Sequence, residues 1–218
     1  MGEAARKIVP VASPTIDINA FRAAEVEMDP FEYMVVPNFV PPEALARINA
    51  GFPDISRGGS FPLSSLQYGD AFHQLTDALL SKQLRAHFAQ KFHLVPTNRP
   101  ATLTVRGHCR ARDGRIHTDS KTKLITVLVY LNEDWNDDGG RLRLLRSGKD
   151  VEDCFDEIDP CGGTLLAFRC RNNAWHGHKP FVGVRRSVQL NYVTSENAAL
   201  RNSSVHRISS FIKRLLPG

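Results

Sequence analysis

From about residue 100 onward the chain breaks into short apolar or alternating segments at 102–105, 124–131, 142–145, 164–168 and 187–193. Turn formers separate them: Asp113-Gly114, Asp137-Asp138-Gly139-Gly140, Cys161-Gly162-Gly163 and Gly183. Short strands at this spacing read as an antiparallel sandwich or barrel. The segment 124–131 is nearly all apolar, as a strand covered on both faces must be. The predicted class is therefore mainly β with flanking helices.

The helices come from the first half. Residues 1–20 read as a flexible lead-in and 21–100 as a helical part packing on the core. A short aromatic and β-branched strand is expected within 31–39. Pro41-Pro42 then opens a helix to about Ala50, since proline is tolerated in the first turn. The stretch 51–69 is rich in Gly, Ser and Pro and reads as a long loop. Asp70 looks like an N-cap. Phe72, Leu75, Leu79, Leu80, Leu84 and Phe88 recur at three-and-four spacing, predicting one helix to about Phe92. The core domain is set at 101–195. The tail 196–218 carries an amphipathic stripe, Val205, Ile208, Phe211, Ile212 and Leu215, expected to be a terminal helix docked on the sheet. A helix that uses its basic neighbours for peripheral membrane contact or for a partner is the less favoured alternative.

At 218 residues there is enough chain for one well-buried domain. No run of apolar residues is long enough to span a bilayer, and the first residues lack the apolar segment of a secretory signal, so a cytoplasmic location is expected. The four cysteines form no C-x-x-C pair and read as reduced, mostly buried thiols. The formal charge of +5 comes from scattered basic residues without a nucleic-acid-binding motif; nucleic acid is not expected as a partner, and an anionic small substrate is compatible with the charge.

The chemistry-bearing pattern is His117-Thr118-Asp119 with a distant His176 in Ala174-Trp175-His176-Gly177. In extended chain, residues two apart point the same way, so His117 and Asp119 can reach one ion. Two imidazoles and a carboxylate on one face leave the opposite coordination positions open, the arrangement of non-haem Fe(II) oxygenases. His178 is a competitor for the second imidazole. Arg185 and Ser187 follow as an Arg-x-Ser pair, and Arg185, Ser187 and Gln189 share one strand face, with Arg186 on the other. Tyr130 places a hydroxyl in an otherwise apolar strand, where it needs a partner. Arg106, Arg110 and Arg115 precede the ligand triplet; a surface role is expected for them, with a place for one of them in the lining of the substrate pocket as the alternative.

Together these motifs resemble the 2-oxoglutarate/Fe(II)-dependent dioxygenases, most closely their prolyl-hydroxylase-like branch. The resemblance runs over about 102–193. Besides the metal triplet it rests on the segments 126–135, 139–144 and 160–168, on Trp175-His176-Gly177 and on Arg185-Arg186-Ser187. It implies a double-stranded β-helix (jelly-roll, cupin-like) core. It implies His117, Asp119 and His176 as Fe(II) ligands and Arg185 as the anchor for the far carboxylate of 2-oxoglutarate, with Tyr130 and Ser187 beside it. O2 is the second co-substrate, and the products are succinate, CO2 and an oxidised substrate. Because Asp119 is present, hydroxylation is favoured over halogenation. The expected substrate is a small molecule or a peptidyl group. Two other classes are carried forward: a silent binding protein on the same fold, which would not take up 2-oxoglutarate, and a metallohydrolase, which would have no use for Arg185.

Overall fold

The structure is a computed structural model, and it describes residues 14–95 and 97–200. The expected amphipathic tail falls almost wholly outside the described residues. In chain order the elements are α1 (Ile18–Ala23), β1 (Tyr33–Val36), α2 (Pro42–Ala50), β2 (Phe61–Pro62), a 3-10 turn (Leu63–Ser65), α3 (Asp70–Leu80), α4 (Lys82–Lys91), β3 (Ala101–Cys109), β4 (Lys123–Tyr130), β5 (Leu142–Leu145), β6 (Cys154–Ile158), β7 (Leu165–Arg169), β8 (Trp175–Gly177) and β9 (Gly183–Val193).

The strands form two antiparallel sheets. The larger runs β1-β7-β4-β9-β3-β2 and the smaller β6-β5-β8. Both outer strands of the large sheet precede residue 100, so the N-terminal part supplies strands as well as helices. Alternation divides the large sheet's two faces. Ile125, Val127 and Val129 of β4, with Val188, Leu190 and Tyr192 of β9, point outward into a core shared with Phe72, Leu75, Leu84 and Phe88 of the helices. Leu128 and Tyr130 point the other way, toward Leu142 and Leu144 of the small sheet. This double burial explains why the sequence of β4 is apolar almost throughout.

Several local expectations change. A helix starts at Ile18, inside the stretch expected to be a loose lead-in, because the Asp17 carboxylate accepts from the backbone N–H groups of Asn19 and Ala20 at 2.9 and 2.8 Å. The single helix expected from Asp70 is two. Ser81 leaves helical geometry (φ −61°, ψ 148°), and its hydroxyl caps α4 by accepting from the Leu84 N–H at 3.1 Å. The N-cap of α3 is Gly69, with Asp70 in the first turn. β6 was not expected from the sequence. Its Asp156 and Glu157 hide the strand period, and Glu157 pairs with Arg143 across the β5–β6 ladder. Arg141 and Arg146 likewise meet Asp159 and Asp153, so this basic run is a neutralised ladder. Of the thiols, only Cys109 is buried; Cys154, Cys161 and Cys170 are half-buried and all four are free.

Candidate active site

The large sheet's inner face is polar where a core would be apolar. Thr102 and Thr104 of β3, Thr126 of β4 and Arg185, Ser187 and Asn191 of β9 are all buried there, with His176 and His178 buried on and just beyond β8. Strand register arranges them in rungs. Thr126 lies opposite Asn191 and Asn191 opposite Thr102; Leu128, Gln189 and Thr104 form the next rung; Tyr130, Ser187 and Arg106 form the third. Four residue steps separate Thr126 from Tyr130, about 13 Å along the strand.

At one end sits the triplet. His117 is not in a regular strand. It forms an isolated antiparallel bridge with His176, each backbone N–H donating to the other's carbonyl at 3.0 Å. That pairing sets the two imidazoles side by side, with ring centroids 4.3 Å apart. Candidate ligand atoms of His117, Asp119 and His176 all lie within 4.8 Å of one another. His117 Nδ1 lies 2.8 Å from the Arg115 carbonyl and His176 Nδ1 3.0 Å from that of Ala174. Those contacts fix the Nδ1–H tautomer and leave both Nε2 lone pairs free for a cation. Burial, reinforced by the neighbouring His117, pushes the His176 pKa down to about 4, so its ring is neutral at physiological pH.

Both oxygens of Asp119 are engaged. Lys123 Nζ lies 2.5 Å from Oδ1, and the Thr126 hydroxyl donates to Oδ2. Burial raises the carboxyl pKa, but the Lys123 charge and the hydrogen bonds from Lys123 and Thr126 outweigh it and hold the group below the usual carboxylate range. Asp119 is an anion ready for a metal. Beneath His176, the Phe168 ring lies 4.7 Å away.

At the other end three buried polar atoms have no protein partner: the Tyr130 hydroxyl, Arg185 Nη2 and the Ser187 hydroxyl. Such groups are rare because leaving them unpaired costs free energy. Arg185 is aimed by its own Nε, which donates to the Gly140 carbonyl at 2.7 Å, and its guanidinium carbon lies 5.3 Å from the Tyr130 ring centroid. Burial raises the Tyr130 pKa, so the phenol stays a donor. Donors converging on one small space suit a carboxylate. Arg186 faces the opposite side, where it donates to Asn49 at 3.1 Å and lies over the Phe52 ring. His178 stands outside the metal cluster. Its Nδ1 lies 2.7 Å from the Lys179 carbonyl and its Nε2 3.9 Å from the Cys109 thiol. Lys123, Thr126 and Asn191 stand in no motif of the sequence. Asn191 continues the polar alternation of Arg185, Ser187 and Gln189 along β9, whereas Thr126 is a single polar residue within the apolar run of β4.

A cluster of two histidines and an aspartate inside a two-sheet β sandwich, on the same face as three buried polar atoms without a partner, is the donor set of a metal-dependent oxygenase type of site. Comparison with known proteins agrees. Residues 106–193, which contain the whole cluster, match the sequence model of the 2OG-Fe(II) oxygenase superfamily. Domains of this superfamily use Fe(II), 2-oxoglutarate and O2. Among solved structures, a Pseudomonas putida prolyl-4-hydroxylase superposes with a TM-score of 0.50 at 19% identity, covering 75% of this chain and 88% of its own. A viral collagen prolyl hydroxylase from Paramecium Bursaria Chlorella virus-1, in complex with 2OG, gives 0.50 at 15%, covering 74% and 96%. At these identities the superpositions show a shared fold and nothing more. A search of curated proteins finds no match. Among the described residues, no helix is long and apolar enough to cross a membrane.

Proposed function

We propose that this protein hydroxylates an unactivated C–H bond of a small-molecule or peptidyl substrate, converting 2-oxoglutarate and O2 into succinate and CO2. His117, Asp119 and His176 hold Fe(II). Arg185 binds the far carboxylate of 2-oxoglutarate, assisted by Tyr130 and Ser187. The observation that carries this reading is the set of three orphaned buried donors placed down the same face from a three-ligand cluster.

Bound Fe(II) supplies the redox chemistry that couples decarboxylation of the keto acid to oxidation of the C–H bond. The protein's own part is positioning and exclusion of water. The carbonyls of Arg115 and Ala174 aim the two Nε2 atoms. Thr126 holds Asp119 Oδ2 against the sheet, and a cation would compete with Lys123 for Oδ1. Arg185 arrives prepositioned by Gly140, so little side-chain entropy is lost when a carboxylate docks. The apolar Leu128 and Leu166 stand opposite one another on the same inner face and are buried there.

The test is succinate formation from 2-oxoglutarate by Fe(II)-reconstituted protein. Wild type is expected to release succinate, and His117→Ala and Asp119→Ala to release none. Full turnover by folded Asp119→Ala would sink the assignment.

A further inference from the structure

Resting on that functional reading, we infer that Arg106 is a second cationic anchor in the pocket, so that the far carboxylate of the 2-oxo dicarboxylate is gripped by two guanidiniums from neighbouring strands. Arg106 stands opposite Ser187 in the β3–β9 ladder, and Tyr130 stands opposite Ser187 on the other side. The three side chains therefore make one rung on one face, with Arg185 two residues along β9. The side of β3 that carries Arg106 also carries the buried Thr102 and Thr104. The register slips directly after it, between Arg106 and His108. Past that bulge the buried Cys109 thiol lies 3.9 Å from His178 Nε2.

The charges around Arg106 do not cancel within the protein. Asp113 is the acid that acts on it, and Asp113 is committed to Arg110. It accepts from the Arg110 backbone N–H, Nε and Nη2 at 3.0, 3.2 and 2.9 Å. The cations facing Arg106 are Arg185 and Arg110. Burial and the Arg185 charge pull its pKa below the ordinary value. The half-buried Arg106 and the buried Arg185 are two like charges beside three unpaired donors. Such an arrangement opposes folding unless an anion enters. The expected consequence is specificity: a keto acid with a distal carboxylate is retained, and one without it gains nothing from Arg106.

The experiment is calorimetric titration of Mn(II)-loaded protein with 2-oxoglutarate and with 2-oxobutyrate, which lacks the distal carboxylate, for wild type, Arg106→Gln, Arg106→Lys and Arg185→Gln. Arg106→Gln should weaken 2-oxoglutarate binding by about tenfold or more, the loss expected for a hydrogen bond to a charged group, and leave 2-oxobutyrate binding unchanged. Arg106→Lys, which keeps the charge but not the planar fork, should fall between. Without ligand, Arg106→Gln should melt no lower than wild type, because a like charge has been removed. The inference is overturned if 2-oxoglutarate binds Arg106→Gln as tightly as wild type while Arg185→Gln has lost it. It is also overturned if Arg106→Gln melts lower with its ligand-induced shift intact, which would mark a structural arginine. Failure of wild type itself to bind 2-oxoglutarate would instead sink the underlying functional reading.

Discussion

Lys123 competes with the metal for Asp119, and removing it should loosen the protein while tightening its grip on a cation. Its ammonium sits 2.5 Å from Oδ1, with the two side chains only 17% and 7% exposed. The other oxygen is taken by Thr126 and approached at 3.8 Å by the Cys170 thiol. Breaking a buried pair by removing one partner costs about 3–5 kcal/mol. Here Thr126 still serves the carboxylate, so about 2–4 kcal/mol is the reasonable range for Lys123→Met without metal. A divalent cation restores the missing positive charge, so the metal-bound form loses less. If about 2 kcal/mol of the cost is relieved in this way, metal affinity rises roughly thirtyfold. Urea unfolding of metal-free protein measures the first quantity, and calorimetric titration with Mn(II) the second. Weaker Mn(II) binding by a folded, destabilised Lys123→Met would refute the reasoning; Lys123 would then be aligning the carboxylate for the metal.

Three further outcomes are expected. Gly140 holds φ +77°, and an added Cβ would come 2.7 Å from the Trp135 ring; Gly140→Ala should cost about 1–2 kcal/mol and, by moving the carbonyl that aims Arg185, weaken 2-oxoglutarate binding more than metal binding. Phe168→Ala removes a fully buried ring from beneath His176 and should cost about 3–5 kcal/mol in thermal or chemical unfolding; a loss below about 1 kcal/mol would contradict the packing described. Glu32 is held below the ordinary carboxylate pKa by its hydrogen bond from Arg171, against the opposing effect of burial. Because the folded value is the lower one, its contribution is complete above the unfolded value of about 4.3 and disappears as pH falls through the folded value. Melting temperatures of wild type and Glu32→Gln should therefore converge as the pH drops below about 5, and a gap independent of pH would show that the ion pair does not act.

How far the sequence could be read depended on whether a residue's role is set by its own strand or by its partners. β4 was legible because burial on both faces leaves only one kind of residue there, and β5 because its apolar Leu142, Leu144 and Leu145 follow closely on the Gly139-Gly140 turn. The candidate ligands stood out by type, since His-x-Asp and a distant histidine have few other uses in combination. The period of two put Arg185 and Arg186 on opposite faces of the strand, but did not tell which of those faces is the inner one. Arg106 could not be read even that far. The sequence Arg106-Gly107-His108-Cys109 has no apolar alternation, and its facing depends on a bulge and on pairing with Ser187, more than 80 residues away. Lys123 and Thr126 were hidden for a similar reason: their importance comes from a loop carboxylate folding back over the strand. The break at Ser81 was hidden by a hydrophobic stripe that continues across it, with the exposed Leu80 its one irregularity.

The most direct test of the site as a whole is anaerobic titration of metal-free protein with Fe(II) and 2-oxoglutarate, watching for the visible charge-transfer band of a keto acid chelated to iron. Wild type should develop the band, His176→Ala should not, and Arg185→Ala should need far more 2-oxoglutarate to reach it. A folded, iron-loaded wild type that never develops the band would contradict the assignment of these residues to Fe(II) and 2-oxoglutarate.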